Sequence, residues 1–151
     1  MKKVFSVLFI MGAFMMLFGC SRKMSDIPKY KEKECHFSEG VQDHTDYCKY
    51  FYDENDVKKF KNHDKYKQVN SQDIENIKSY FKNFEIWVKE QNYYEKYDFD
   101  YQKQIKEGDY FYIVTKEDMK IGDDMYGKFD YYDVYYFDTS KFILYFIHSN
   151  N

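Results

Sequence analysis

Arginine is almost absent from this chain. Arg22 stands alone among 23 basic residues, which face 26 acidic ones for a formal net charge of -3. A nucleic-acid binder normally carries a basic excess and sets arginine forks on phosphates and base edges, so the composition argues against that class. Proline occurs once, at Pro28, alanine once, at Ala13, and glycine six times. Collagen-like and Pro/Gly-rich disordered chains need far more of these residues. At 151 residues the sequence holds one domain and is too short for two. No G-x-S-x-G, H-E-x-x-H or phosphate-loop motif occurs, which removes common nucleophile-elbow, metalloprotease and nucleotide-binding signatures. The apolar run Val4 to Phe18, which carries no charge, has fifteen residues. A bilayer-spanning helix needs about 20.

Aromatics are what the chain has in abundance: 18 Tyr, 15 Phe and one Trp. They fit either an aromatic surface for sugars or peptides, or a codon bias that scatters surface aromatics without function.

Lys2 and Lys3, the apolar run, and then Gly19 and Cys20 have the proportions of a signal peptide. The junction Leu17-Phe18-Gly19-Cys20 resembles the lipobox of bacterial lipoproteins. That resemblance implies removal of residues 1–19, a diacylglycerol on the Cys20 thiol, and anchoring on the extracytoplasmic face of the cell membrane. Two acyl chains suffice for stable attachment, whereas one binds marginally. Residues 20–34 then read as the lipidated cysteine and a charged tether, and 35–151 as a single globular domain. Loss of Lys2 and Lys3 leaves the exported part more acidic still, with no general attraction to anionic lipid.

Cys35 and Cys48 remain, an even pair in a compartment where disulfides persist. A bond between them would close a short loop and stabilise it by about 3 kcal/mol on the chain-entropy estimate. The alternative is a metal site with His36 and His44, although adjacent Cys35 and His36 depart from the usual knuckle spacing. We assign the pair to a disulfide and expect neither metal nor cofactor.

Residues 48–52 are a short aromatic run that reads as a strand. Val57 to Lys67 packs five lysines around Phe60 and Tyr66. That run is either a basic patch for envelope phosphate or a solvated connection, and the second is the plainer reading. Ile74, Ile77, Phe81, Phe84 and Val88 recur three and four residues apart and predict one amphipathic helix from Ser71 to about Glu90. Asn70 or Ser71 can cap it, and Glu75 with Lys78 and Glu85 with Lys89 can pair on its exposed side.

Beyond the helix the period changes to two. Residues 97–104 and 110–115 predict one hairpin, and 129–137 and 142–148 a second, across the polar loop 116–128. Both faces of the last strand are apolar, so it is either central or presents one face to a partner. The expected architecture is α+β, one long helix on a four- to five-stranded antiparallel meander. This succession is similar to the cystatin-like roll, but the Gln-Val-Val-Ala-Gly hairpin of true cystatins is absent, so protease inhibition does not carry over. The C-terminal run from Phe129 also resembles the endings of small Gram-positive lipoproteins of unassigned role.

For chemistry, His148 with Asp133 or Asp138 and a nearby tyrosine hydroxyl is the best acid/base set the sequence offers, and no spacing demands it. We therefore expect no catalytic residues. The leading expectation is a lipid-anchored binding module for an envelope protein or peptide, using Tyr131, Tyr135, Phe137, Tyr145 and His148 as its candidate ligand surface, or the 116–128 loop. A small enzyme or ligand carrier with a pocket between helix and sheet, and an immunity or inhibitor lipoprotein, are the alternatives.

Overall fold

A computed structural model describes residues 26–37, 44–90, 94–116 and 128–150. Six strands form one antiparallel sheet: β1 (Glu32–Phe37), β2 (His44–Phe51), β3 (Lys67–Gln68), β4 (Tyr110–Thr115), β5 (Tyr131–Asp138) and β6 (Ile143–Asn150). Their spatial order is β1-β2-β6-β5-β4-β3. Helices α1 (Val57–Lys61), α2 (Ser71–Glu90) and α3 (Tyr101–Gln104) complete the α+β fold.

The long helix spans the residues its stripe predicts. Asn70 caps it, with its Oδ1 accepting from the Gln72 N–H at 2.9 Å while Asp73 accepts from the Asn70 N–H at 3.0 Å. Lys78 meets Glu75 and Lys89 meets Glu85 on the outer side. Ile77, Phe81, Phe84 and Val88 are buried against Tyr132, Val134, Tyr136 and Ile147 of the sheet. Truncating any of these phenylalanines should cost about 3–5 kcal/mol.

The other sheet face is covered as well. Phe60 of α1 stacks on Phe137 with ring centroids 3.7 Å apart, and Tyr52 and Tyr66 close around them edge-on. This explains the doubly apolar β6: it lies between β2 and β5 with both sides packed.

Four sequence expectations are corrected. The sheet has six strands, not four or five, because a polar edge strand and a two-residue strand escape hydrophobic patterning. Residues 97–104 form no strand. Tyr97 and Phe99 alternate because both point into the core beneath α2 from an irregular segment, and the chain then turns into α3. The helix is not followed by a simple meander, since β2 pairs along its whole length with β6. Residues 26–34 are not a free tether: Ile27 and Tyr30 pack on the second cluster, and Glu32 begins β1. The Pro28 carbonyl accepts from the Tyr52 hydroxyl at 2.8 Å, and the Asp26 carbonyl from that of Tyr66 at 3.0 Å.

Cys35 and Cys48 face each other across the β1–β2 ladder and are joined in a disulfide. Lys49 of β2 adds a second tie, bridging Glu34 of β1 and Asp98, each at 2.8 Å. Among the described residues no helix is long and apolar enough to cross a membrane. Residues 1–25, with the signal peptide, the lipobox and Cys20, lie outside the described residues, as do 117–127 of the polar loop.

Candidate functional site

The five residues of the expected ligand surface do not form one. Tyr131, Tyr135, Phe137 and His148 lie on the sheet face opposite α2, whereas Tyr145 packs on the α2 side. Phe137 is 0% exposed, His148 2%, Tyr145 4% and Tyr135 8%. Their burial follows from the double covering of β5 and β6, which a strand pattern alone does not reveal.

The structure does bring His148 and Asp133 together. The two are register partners on β6 and β5, and His148 Nδ1 lies 2.6 Å from Asp133 Oδ1. Asp46 of β2 occupies the matching position on the other flank of His148, and the Tyr131 ring stands edge-on to the imidazole at 5.3 Å. The carboxylate orients the ring as it would in an acid/base pair. A side chain this deeply buried, however, offers a substrate no approach. Asp138, the other candidate partner, is spent on its own turn: its Oδ1 accepts from the Ser140 N–H, the Ser140 hydroxyl and the Lys141 N–H. Among the described residues no group of three or more His, Cys, Asp or Glu side chains is placed to hold a metal ion.

An open site lies elsewhere, in a groove of about 500 Å³ along the edge of β4. Its apolar floor is Tyr80 from α2 with Phe111 and Ile113 from β4, and its polar wall is Lys65, Lys67 and Asn76. No carboxylate is among the lining residues. The two lysines come from the chain that enters β3, and Lys67 sits directly opposite Phe111 in the ladder. Lys65 is bonded to Asp26, whose carboxylate raises the lysine above its usual range, and its ammonium lies 5.5 Å from the centre of the Tyr112 ring. Lys67 enters no ion pair among the described residues. A third cation, Lys128, is held beside the groove by Asn76 Oδ1 (2.9 Å) and Ser79 Oγ (3.1 Å), 4.9 Å from the Tyr80 ring centre.

The lysine-rich run 57–67 therefore divides. Lys58, Lys59 and Lys61 belong to α1, and only the last two of its five lysines reach the groove. Sequence reading missed this site because its walls come from three separated segments. The one available signal was the lysine run itself.

No protein-family model, curated protein or solved structure matches the chain.

Proposed function

We propose that this chain is a lipid-anchored binding module on the extracytoplasmic face of the cell membrane, without catalytic activity, which holds an anionic envelope ligand in the β4 groove. The observation that carries the reading is the pairing of an apolar floor with a cationic wall that has no carboxylate among its lining residues. Small-molecule and peptide sites are mostly apolar concavities with a few convergent polar groups, and about 500 Å³ is within their usual range of about 300–1,000 Å³. Burial of His148 beside Asp133 supports a non-enzymatic reading. Anchoring rests on Lys2, Lys3, the apolar run and Cys20. The long helix over an antiparallel sheet supports a likeness to the cystatin-like roll in architecture alone, with the β2–β6 pairing as its departure.

A second reading, a carrier for a small organic anion, draws on the same groove volume and differs only in ligand size. The test has two arms. Mass analysis of the membrane-extracted protein should show a diacylglycerol on an N-terminal Cys20 that Cys20→Ser loses; an unmodified, uncleaved chain would refute the anchor. Fractionated envelope extract passed over the immobilised protein should leave an anionic component that the Lys67→Glu variant no longer retains. Equal retention by the variant would refute the groove as the site.

A further inference from the structure

The ladder between β3 and β4 stops after two rungs, Lys67 with Phe111 and Gln68 with Tyr110. β4 itself continues to Thr115. The Val69 N–H donates to the Asp109 carbonyl at 2.8 Å, and this fixes the phase of the ladder. Asp109, Phe111 and Ile113, two residues apart, turn their backbone N–H and C=O toward the β3 side, while the residues between them turn toward β5. Ile113 thus presents strand-pairing groups just past the end of β3, on the floor of the groove.

Resting on the binding-module reading, we infer that the groove takes an extended acidic peptide segment, which adds to the sheet as a strand beside β4 at Ile113. Strand addition draws affinity from main-chain hydrogen bonds and specificity from pockets for alternate side chains. Here the cations stand on both sides of the edge. Lys67 shares the α2 side with Phe111, and Lys65 lies over Tyr112 on the opposite side. Alternate side chains of an added strand point to opposite faces, so acidic residues on the α2 face meet Lys67, those on the other face approach a Lys65 that already holds Asp26, and apolar ones meet Tyr80 and Ile113. A second copy of this chain is the wrong occupant. Pairing edge to edge would set Lys65 and Lys67 against their own counterparts, and like charges placed opposite one another destabilise a ladder. Lysines on an edge strand are a recognised guard against such self-pairing.

The test uses the full-length protein in detergent micelles and a fluorescent ten-residue peptide alternating Glu with Val. Two control peptides accompany it: one with Lys in place of Glu, and one with alternate backbone amides N-methylated. Anisotropy should show saturable binding of the acidic peptide, no binding of the lysine peptide, and at least tenfold weaker binding of the methylated one. Lys67→Glu should weaken the acidic peptide at least tenfold and Lys67→Gln by less, with circular dichroism unchanged because this side chain is exposed. Hydrogen exchange at the Ile113 amide should slow when the peptide is bound. If the methylated peptide binds equally well and Ile113 exchange is unaltered, strand addition is wrong while the groove stands as an anion site. If no acidic peptide binds but the envelope component is still lost on Lys67→Glu, the peptide inference fails alone. If neither depends on Lys67, both readings fall.

Discussion

His148 and Asp133 are locked side by side across the β5–β6 ladder, with 2.6 Å between Nδ1 and Oδ1 and the imidazole buried. The pair is a structural tie in a row that also contains Asp46. His148→Ala should remove the hydrogen bond and leave the Asp133 carboxylate without its partner, at a cost of about 2 kcal/mol in urea unfolding. Asp133→Asn keeps the shape and should cost less. A His148→Ala variant as stable as the parent would show that the tie contributes nothing.

A fully buried carboxylate holds the other end of β5. Asp109, 0% exposed, accepts from the Tyr136 hydroxyl, from the Thr139 N–H at 2.9 Å and from the Thr139 hydroxyl at 2.7 Å, and so joins the turn before β4 to the β5–β6 turn. Gly108 makes that first turn in the left-handed region at φ +90. Asp109→Ala should cost about 3 kcal/mol, because hydrogen bonds to a charged group are worth about 1.5–3 kcal/mol. Thr139→Val should cost about 1 kcal/mol. Equal effects from the two substitutions would show that the carboxylate does not organise the cluster.

The tyrosines predict an alkaline limit to stability. Burial first, and then neighbouring carboxylates or phenols, raise the Tyr47, Tyr66 and Tyr136 hydroxyls well above their usual value of 10.0. The folded chain therefore holds these protons more tightly than the unfolded one. Their contribution is complete below about pH 10 and is lost as the pH rises beyond it. Ultraviolet titration should show exposed phenols ionising first and the buried set ionising together with loss of near-ultraviolet dichroism. A single smooth wave with the dichroism intact would contradict this.

The disulfide should be visible by intact mass as a gain of two hydrogens on reduction. Its residues are 13 apart, and opening a loop of that size should lower stability by about 3 kcal/mol. β1 should respond first, because its outer side pairs with no strand among the described residues and its sequence is largely charged. Unchanged thermal unfolding under reductant would mean that the β1–β2 ladder holds without the bond.

What could be read from the sequence was whatever is periodic within one segment. The stripe from Ile74 to Val88 gave α2 with its cap, and the runs ending at Phe137 and beginning at Phe142 gave the second hairpin. Cys35 with Cys48 was legible from parity once Cys20 was set aside and an oxidising compartment was expected. The β1 strand was not, because Glu32, Lys33 and Glu34 present charge to water and the strand is set by its partner rather than by its own pattern. Pairing of β2 with β6 joins residues about a hundred positions apart, and no local signal encodes it. His148 with Asp133 was readable as a hairpin pair, whereas its burial depended on layers contributed from elsewhere. The groove depended wholly on topology, since Lys67 and Ile113 meet only because β3 lies down on β4.

The sheet order also has a temporal consequence. The β6 strand enters between β2 and β5, so a chain emerging from the ribosome holds two separate part-sheets until the residues from Ile143 onward are free. Before that moment the flank of β2 and the flank of β5 that will receive β6 are both unfilled, and the aromatic side chains beneath them have no roof. Long-range pairing of this kind folds slowly, since loop closure must precede the contacts that reward it. The sheet is therefore completed last at its centre, by the last strand of the chain to be made.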